Sequence, residues 1–292
     1  MSRPKDLDIR SLGPLTIGEV IDRAINIVFR RWQAIVPTSA IASLPVIMFS
    51  YYANVVWIHN AATGSRDDPY ASSLHIGRDV AADVLRFAAV AVCAVIAAEA
   101  YKGRSVRAID ALKTLAPVWA TLAIMALAFG AIRYGLQAIV QAGYSVTYES
   151  LPLELRVEPI IYGSLRTLTT TVEVVASFVG FAMATAVALE VESIWAAVVL
   201  GFTSTLGRGR ALGTLLLSAA LAILFQLLPS VAAYVPLLLH LNRVPIVDLL
   251  VWAVPDVLLW AIYALVVVVY YIDARLRLGV VVPATLIEGG EL

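Results

Sequence analysis

Residues 19–32 read EVIDRAINIVFRRW, and residues 33–58 follow at once as QAIVPTSAIASLPVIMFSYYANVVWI. The first stretch is charged along its length and the second carries no charge at all. Around the first, Ile17, Val20, Ile21, Ala24, Ile27 and Val28 recur at helical spacing on one face, with Glu19, Asp22, Arg23, Asn26 and Arg30 on the other. Thr16 followed by Glu19 is the signature of a capping box, and Glu19 and Arg23 stand at the favourable i,i+4 spacing. Such a helix suits a membrane surface, with its basic end among anionic headgroups. The alternative is an ordinary amphipathic helix docked by its apolar face on the inner side of a bundle. The second stretch is suited to lipid, since a spanning helix takes roughly 20 mostly apolar residues.

Composition extends that reading to the whole chain. Of 292 residues, 61% are hydrophobic and 14% charged, against about 45–50% and about 25% in soluble domains. One water-soluble core cannot hide that excess, so the class is an integral membrane protein. It is expected to be all-α, because backbone polar groups in lipid must be satisfied within the segment and an open sheet cannot do so. Zero formal net charge argues against nucleic acid as a partner. The single cysteine, Cys93, has no internal disulfide partner and reads as a small packing residue. Residues 1–15 mix both signs of charge without an apolar core, so no cleavable signal peptide is expected.

Six segments qualify as spans: about 33–58, 79–99, 116–141, 166–190, 211–239 and 246–272. Lys and Arg gather on one side of them, including Arg30, Arg31, Lys102, Arg104, Arg107, Lys113, Arg208, Arg210, Arg275 and Arg277. The other side holds only Arg66, Arg78, Arg156, Arg166 and Arg243. That asymmetry places both termini in the cytoplasm. Trp32, Trp57, Trp119, Trp195 and Trp252, with Tyr51, Tyr52, Tyr270 and Tyr271, fall near span ends as aromatic belts. Pro37, Pro45, Pro117, Pro229 and Pro236 are candidates for kinks.

A second amphipathic element, SVRAIDALKTL at 105–115, has Val106, Ile109 and Leu112 apolar and Arg107, Asp110 and Lys113 polar. Thr16 and Ser105 are 89 residues apart, and Ser193, which opens SIWAAVVLGFTSTLGRGRALG, lies 88 further on. Each precedes a two-span hairpin. The chain therefore reads as three units of amphipathic helix plus helical hairpin, at about 16–102, 103–190 and 191–279. They form one membrane domain over 16–279 between cytoplasmic tails at 1–15 and 280–292. In the third unit Gly201, Thr203, Ser204 and Thr205 replace the charged face.

No pattern names a reaction. GRGRALG at 207–213 lacks the spacing of a phosphate loop and follows a helix, although Gly209 and Gly213 make a GxxxG step that favours close packing. His59, His75 and His240, with Asp67 and Asp68, fall on the outer side without metal-ligand spacing. No catalytic residue, metal or cofactor is expected.

The chemical signal is charge inside the spans. Arg86, Arg133, Glu173 and Asp256 lie roughly 10–15 Å from the outer helix ends at about 1.5 Å per residue, with Asp83 one turn further out. Arg86 and Glu173 hold matching places in successive units, 87 residues apart, so they are expected to pair. A charge at that depth must be paired or face water. Two roles satisfy this: a structural clasp, or a polar cavity that receives a lipid headgroup or solute. Glu99, Glu190 and Glu192 sit at the inner boundary, where hydration is expected to carry them.

Three stretches carry a resemblance. They are PLTIGEVIDRAINIVFRRW at 14–32, with Glu19, Asp22 and Arg23; ALEVESIWAAVVLGFTSTLGRGRALG at 188–213, with Glu190, Leu206, Arg208 and Arg210; and VVYYIDARLRLG at 268–279, with Tyr270, Asp273, Arg275 and Arg277. Together they resemble bacterial multi-pass proteins of the glycerophosphoryl diester phosphodiesterase membrane-domain family. The chain departs from that pattern in lacking the basic residues usual before Leu206 and the acid usual after Arg277. The resemblance implies a membrane module. The family's catalytic barrel has no counterpart here, so phosphodiesterase activity is not carried over.

The leading expectation is a non-catalytic membrane module that organises or assists a membrane or lipid-related partner. Membrane lipids, a membrane protein and a second copy are the partners considered. A transporter or lipid-translocating protein using the charged site is the alternative, and a membrane-embedded enzyme comes third. A continuous polar cavity reaching Arg86 and Glu173 would favour transport, and a dry, closed pair would favour the module.

Overall fold

A computed structural model describes residues 15–63, 73–150, 158–190, 193–207, 210–221, 223–224 and 245–277. They form nine helices: α1 (Ile17–Arg30), α2 (Trp32–Thr63), α3 (Ser73–Tyr101), α4 (Ala108–Thr114), α5 (Trp119–Ser150), α6 (Glu158–Leu189), α7 (Ile194–Thr205), α8 (Ala211–Leu221) and α9 (Pro245–Arg277). A 3₁₀ turn, Ala116–Val118, leads into α5, and there is no strand among the described residues. Among the described residues five stretches are long and apolar enough to cross a membrane: Trp32–Ala53, Gly77–Tyr101, Ala116–Gly135, Val172–Leu189 and Ala253–Arg277. Most of the expected span at 211–239 lies outside the described residues, which retain its first turns as α8. Pro37 and Pro45 sit inside α2 without ending it, and Pro117 is the middle residue of the 3₁₀ turn. Pro229 and Pro236 lie outside the described residues.

The core sits where α9 crosses α3. Every residue from Tyr263 to Arg275 on α9 and from Ala89 to Ala98 on α3 is buried, so these stretches are enclosed on all sides by their neighbours. In lipid the hydrophobic effect does not draw helices together, and close contact of small residues takes its place. Ala89, Ala91, Ala94, Ala97 and Ala98 supply that contact on α3. Cys93 is buried among them. Gly201 does the same between α7 and α6, because a Cβ there would strike the Met183 side chain and stand 3.1 Å from its backbone nitrogen. By contrast α5 presents Ile124, Leu127 and Ile132 outward, as a lipid-facing helix does.

The helix that opened the reading forms as its sequence dictates. Thr16 caps it, with the Glu19 N–H donating to Thr16 Oγ1 at 3.3 Å and the Thr16 N–H donating to Glu19 Oε2 at 2.6 Å. Its buried residues are Val20, Ala24, Ile27 and Val28, and it packs on α9 and α2. The apolar face is thus covered by protein, while Ile17 and Phe29 remain exposed. Glu19 is engaged by the cap, and Arg23 turns instead toward the Tyr101 hydroxyl at the end of α3.

The second short helix departs from expectation. It starts at Ala108 with Arg107 as N-cap, later than Ser105, and no side chain caps it. Ala111 and Leu115 are buried while Ile109 and Leu112 are exposed. The small Ala111 lets α4 lie close to the bundle, which turns the larger apolar residues outward.

Candidate functional site

At the α1 end of the bundle, residues far apart in sequence meet on the last turns of α9. Asp273 accepts from the Leu15 N–H at 3.0 Å and from Arg210 Nη2 at 3.2 Å, and its Oδ2 is 2.9 Å from Arg277 Nε. Arg277 closes the loop by donating to the Leu15 carbonyl. One carboxylate therefore holds the start of α1, the start of α8 and its own helix end. Beside it, the Arg210 guanidinium lies 4.2 Å from the centroid of the Tyr270 ring, and the Tyr270 hydroxyl donates to the Arg210 carbonyl at 3.2 Å. A Cβ on Gly213 would stand 3.2 Å from that hydroxyl, so the glycine admits the close crossing of α8 on α9.

On the far side of α9, Glu190 at the end of α6 takes a bidentate pair from Arg275, with Nη2 to Oε2 at 2.6 Å and Nε to Oε1 at 2.9 Å. The Tyr271 hydroxyl donates to the same carboxylate at 2.9 Å. Two expectations are corrected here. Tyr270 and Tyr271 are buried in polar contacts and are not belt residues, because α8 and α6 cover this end of α9. Glu190 is carried by Arg275 and not by water, its side chain being only 8% exposed. Glu99 is paired with Lys102 at 2.8 Å, and Glu192 and Arg208 lie outside the described residues.

Of the residues carrying the family resemblance, Glu190, Arg210, Tyr270, Asp273, Arg275 and Arg277 fall within these two networks. Glu19 and Asp22 do not join them: Glu19 caps α1, and Asp22 accepts from Asn26 at 3.4 Å. Nothing in the sequence marks Leu15, whose backbone is used, and Tyr271 is marked there only as a belt residue.

The intramembrane charges divide into two groups. In the first, Arg133 Nη2 lies 3.1 Å from Asp83 Oδ2 and 4.0 Å from Asp79, which is itself paired with Arg78 at 2.5 Å. Gly130 makes room for it, since a Cβ there would stand 3.1 Å from the Asp83 carboxylate. In the second, the Arg86 guanidinium sits 4.4 Å from the centroid of the Trp260 ring, and Asp256 is the acid that acts on it most strongly. Ser43 on α2 lies beside Asp256. Among the described residues Arg86 Nε and Asp256 Oδ2 make no hydrogen bond. Glu173 acts on Asp83. Among the described residues no ion pair joins Arg86 to Glu173: equal depth put them on one level, but Arg86 is turned to Trp260 on α9.

Below Arg86 the aromatic rings of Phe87, Phe181, Trp260 and Tyr263 meet edge to face or tilted, with centroids 5.3–5.7 Å apart. Against this cluster opens a cavity of 690 Å³ between α3, α5, α6, α7 and α8, lined by Phe87, Met125, Phe129, Val179, Phe202 and Leu215 among others, all of them apolar. His59, His75 and His240 lie outside the residues whose side chains are described. Among the described residues no group of three metal-ligand side chains comes together. Comparison of the chain with protein-family models, with curated proteins and with solved structures finds no match.

Proposed function

We propose that the chain is a non-catalytic multi-pass module of a bacterial plasma membrane that organises or assists a lipid-related membrane partner. The observation that carries this is how the intramembrane charges are used. Arg133 stands against Asp83 and Asp79, Arg86 sits on the Trp260 face within the field of Asp256, and the cavity beside them is lined only by apolar groups. Charges placed this way tie α3 to α5 and α9, which is the work of a clasp. The order of short helix followed by two long ones, met at α1 and α4, supports the reading as repeated units, and the short α7 precedes α8 and the long α9. The meeting of Glu190, Arg210, Asp273 and Arg275 supports kinship with the glycerophosphoryl diester phosphodiesterase membrane-domain family.

A second reading, transport or lipid translocation, is supported by one observation: among the described residues Arg86 Nε and Asp256 Oδ2 lack hydrogen bonds. Reconstitution of the full chain in liposomes separates the two. The module reading expects lipid exchange no faster than in protein-free liposomes, together with a stoichiometric partner cross-linked in native membranes. Exchange that is abolished by Asp256→Asn would replace it with translocation. Orientation is tested with an impermeant thiol reagent on intact cells. Ser65→Cys and Ser150→Cys label from outside and Ser2→Cys does not, and the reverse pattern overturns cytoplasmic termini.

A further inference from the structure

Where α1 meets α2, a crevice of 600 Å³ opens between the elbow and the segment entering α4. Phe29, Arg30, Arg31, Trp32, Ser105 and Arg107 line it, and no Asp or Glu does. Gly103, at φ 74°, turns the chain sharply after α3 and lays residues 104–107 across the elbow. There the Arg104 carbonyl receives Arg31 Nη2 at 2.8 Å, which fixes that guanidinium at the crevice wall. Arg30 enters no ion pair among the described residues. Arg107 is 82% exposed and holds Asp110 at 2.9 Å, a solvated pair that an incoming anion can share. The Arg107 guanidinium keeps the Asp110 carboxyl below its usual range, so the carboxylate stays charged and caps the basic field on one side only.

Three features select the occupant. Three arginines, Arg30, Arg31 and Arg107, line the crevice with no acid in its lining, and a guanidinium matches the bidentate geometry of a phosphate. The crevice stands at the first residue of the apolar stretch Trp32–Ala53, which is headgroup level, and the exposed Trp32 and Phe29 flank it as interface aromatics. From it a stripe of exposed apolar residues, Ile41, Leu44 and Met48, runs down α2 at helical spacing, where an acyl chain would lie. We infer that this crevice binds the phosphate headgroup of an anionic phospholipid from the surrounding leaflet, with the acyl chains along α2. The crevice shares no residue with the intramembrane cluster or with the Asp273 network, so this site and the module reading fail separately.

The test uses the full chain in nanodiscs of equal parts phosphatidylglycerol and phosphatidylcholine, with retained lipids counted by native mass spectrometry. The wild-type chain retains phosphatidylglycerol preferentially. Arg30→Gln, Arg31→Gln and Arg107→Gln together lower that preference at least tenfold, while Lys113→Gln, on the same short helix outside the crevice, leaves it unchanged. Should the triple variant fail to fold, Arg30→Gln alone lowers it about fivefold, because the exposed side chain holds no part of the fold. Equal retention of the two lipids by the wild-type chain, or undiminished preference in a folded variant, overturns the site. Displacement of the lipid by inorganic phosphate overturns its assignment to a membrane lipid.

Discussion

Arg275 and Glu190, 85 residues apart, form a two-pronged ion pair at the end of the bundle where α1 docks, with both side chains no more than 10% exposed. Removing one partner strands the other in a poorly hydrated place. Arg275→Met or Glu190→Leu alone is therefore expected to destabilise the protein in detergent by about 3–5 kcal/mol. Arg275→Lys keeps the charge but loses the fork, and falls between wild type and Arg275→Met. Thermal unfolding measured by loss of monodispersity checks the order. If Arg275→Lys matches wild type, the planar geometry is not what matters.

The docking of α1 rests on its buried face, not on the helix as an isolated element. Replacing Val20 and Ile27 with serine removes apolar contact with α9 and α2 without touching the spanning stretches. Amide exchange over residues 17–30 should then rise at least tenfold while membrane insertion persists. Unchanged exchange would show that the Asp273 contacts at Leu15 hold α1 by themselves.

The cap of α1 has a pH signature. Hydrogen bonds from the Thr16 backbone and side chain, with Arg23 nearby, hold the Glu19 carboxyl below its ordinary value of 4.5. A lowered folded value means that the cap's contribution is present in full above that ordinary value. It is lost as pH falls through the lowered value. Exchange at the first amides of α1 should accelerate only under acid conditions in the wild-type chain. In Glu19→Ala it should be fast at every pH. A wild-type transition above the ordinary value would contradict the sign.

How much of this was legible in the sequence depends on whether an interaction is local. The Thr16–Glu19 cap joins residues three apart and needs only helix geometry, so it could be read directly. The level of Arg86 and Glu173 could also be read, since depth follows from residue count. Their facing could not, because rotation about the helix axis is set by neighbours, and Trp260 on α9 is the neighbour that took Arg86. Tyr270 and Tyr271 illustrate the same limit. A tyrosine near a helix end has one sequence signature whether lipid or another helix covers it, and here α8 and α6 do. In α4 the spacing of Ile109 and Leu112 marks an apolar side, but the small Ala111 decided which side docks and left both exposed.

The central claim is that the charges inside the bundle hold helices together, and the Asp83–Arg133 contact tests it most directly. Each side chain is at most 15% exposed. Asp83→Leu and Arg133→Met should each destabilise the protein by about 3–5 kcal/mol, because each leaves the other charge unpaired. The double variant replaces a buried pair with apolar contact and should recover to within about 1 kcal/mol of wild type. A full double-mutant cycle of thermal stability in detergent decides the matter. Recovery is the predicted result, and a double variant that loses the sum of the two single losses would contradict the clasp.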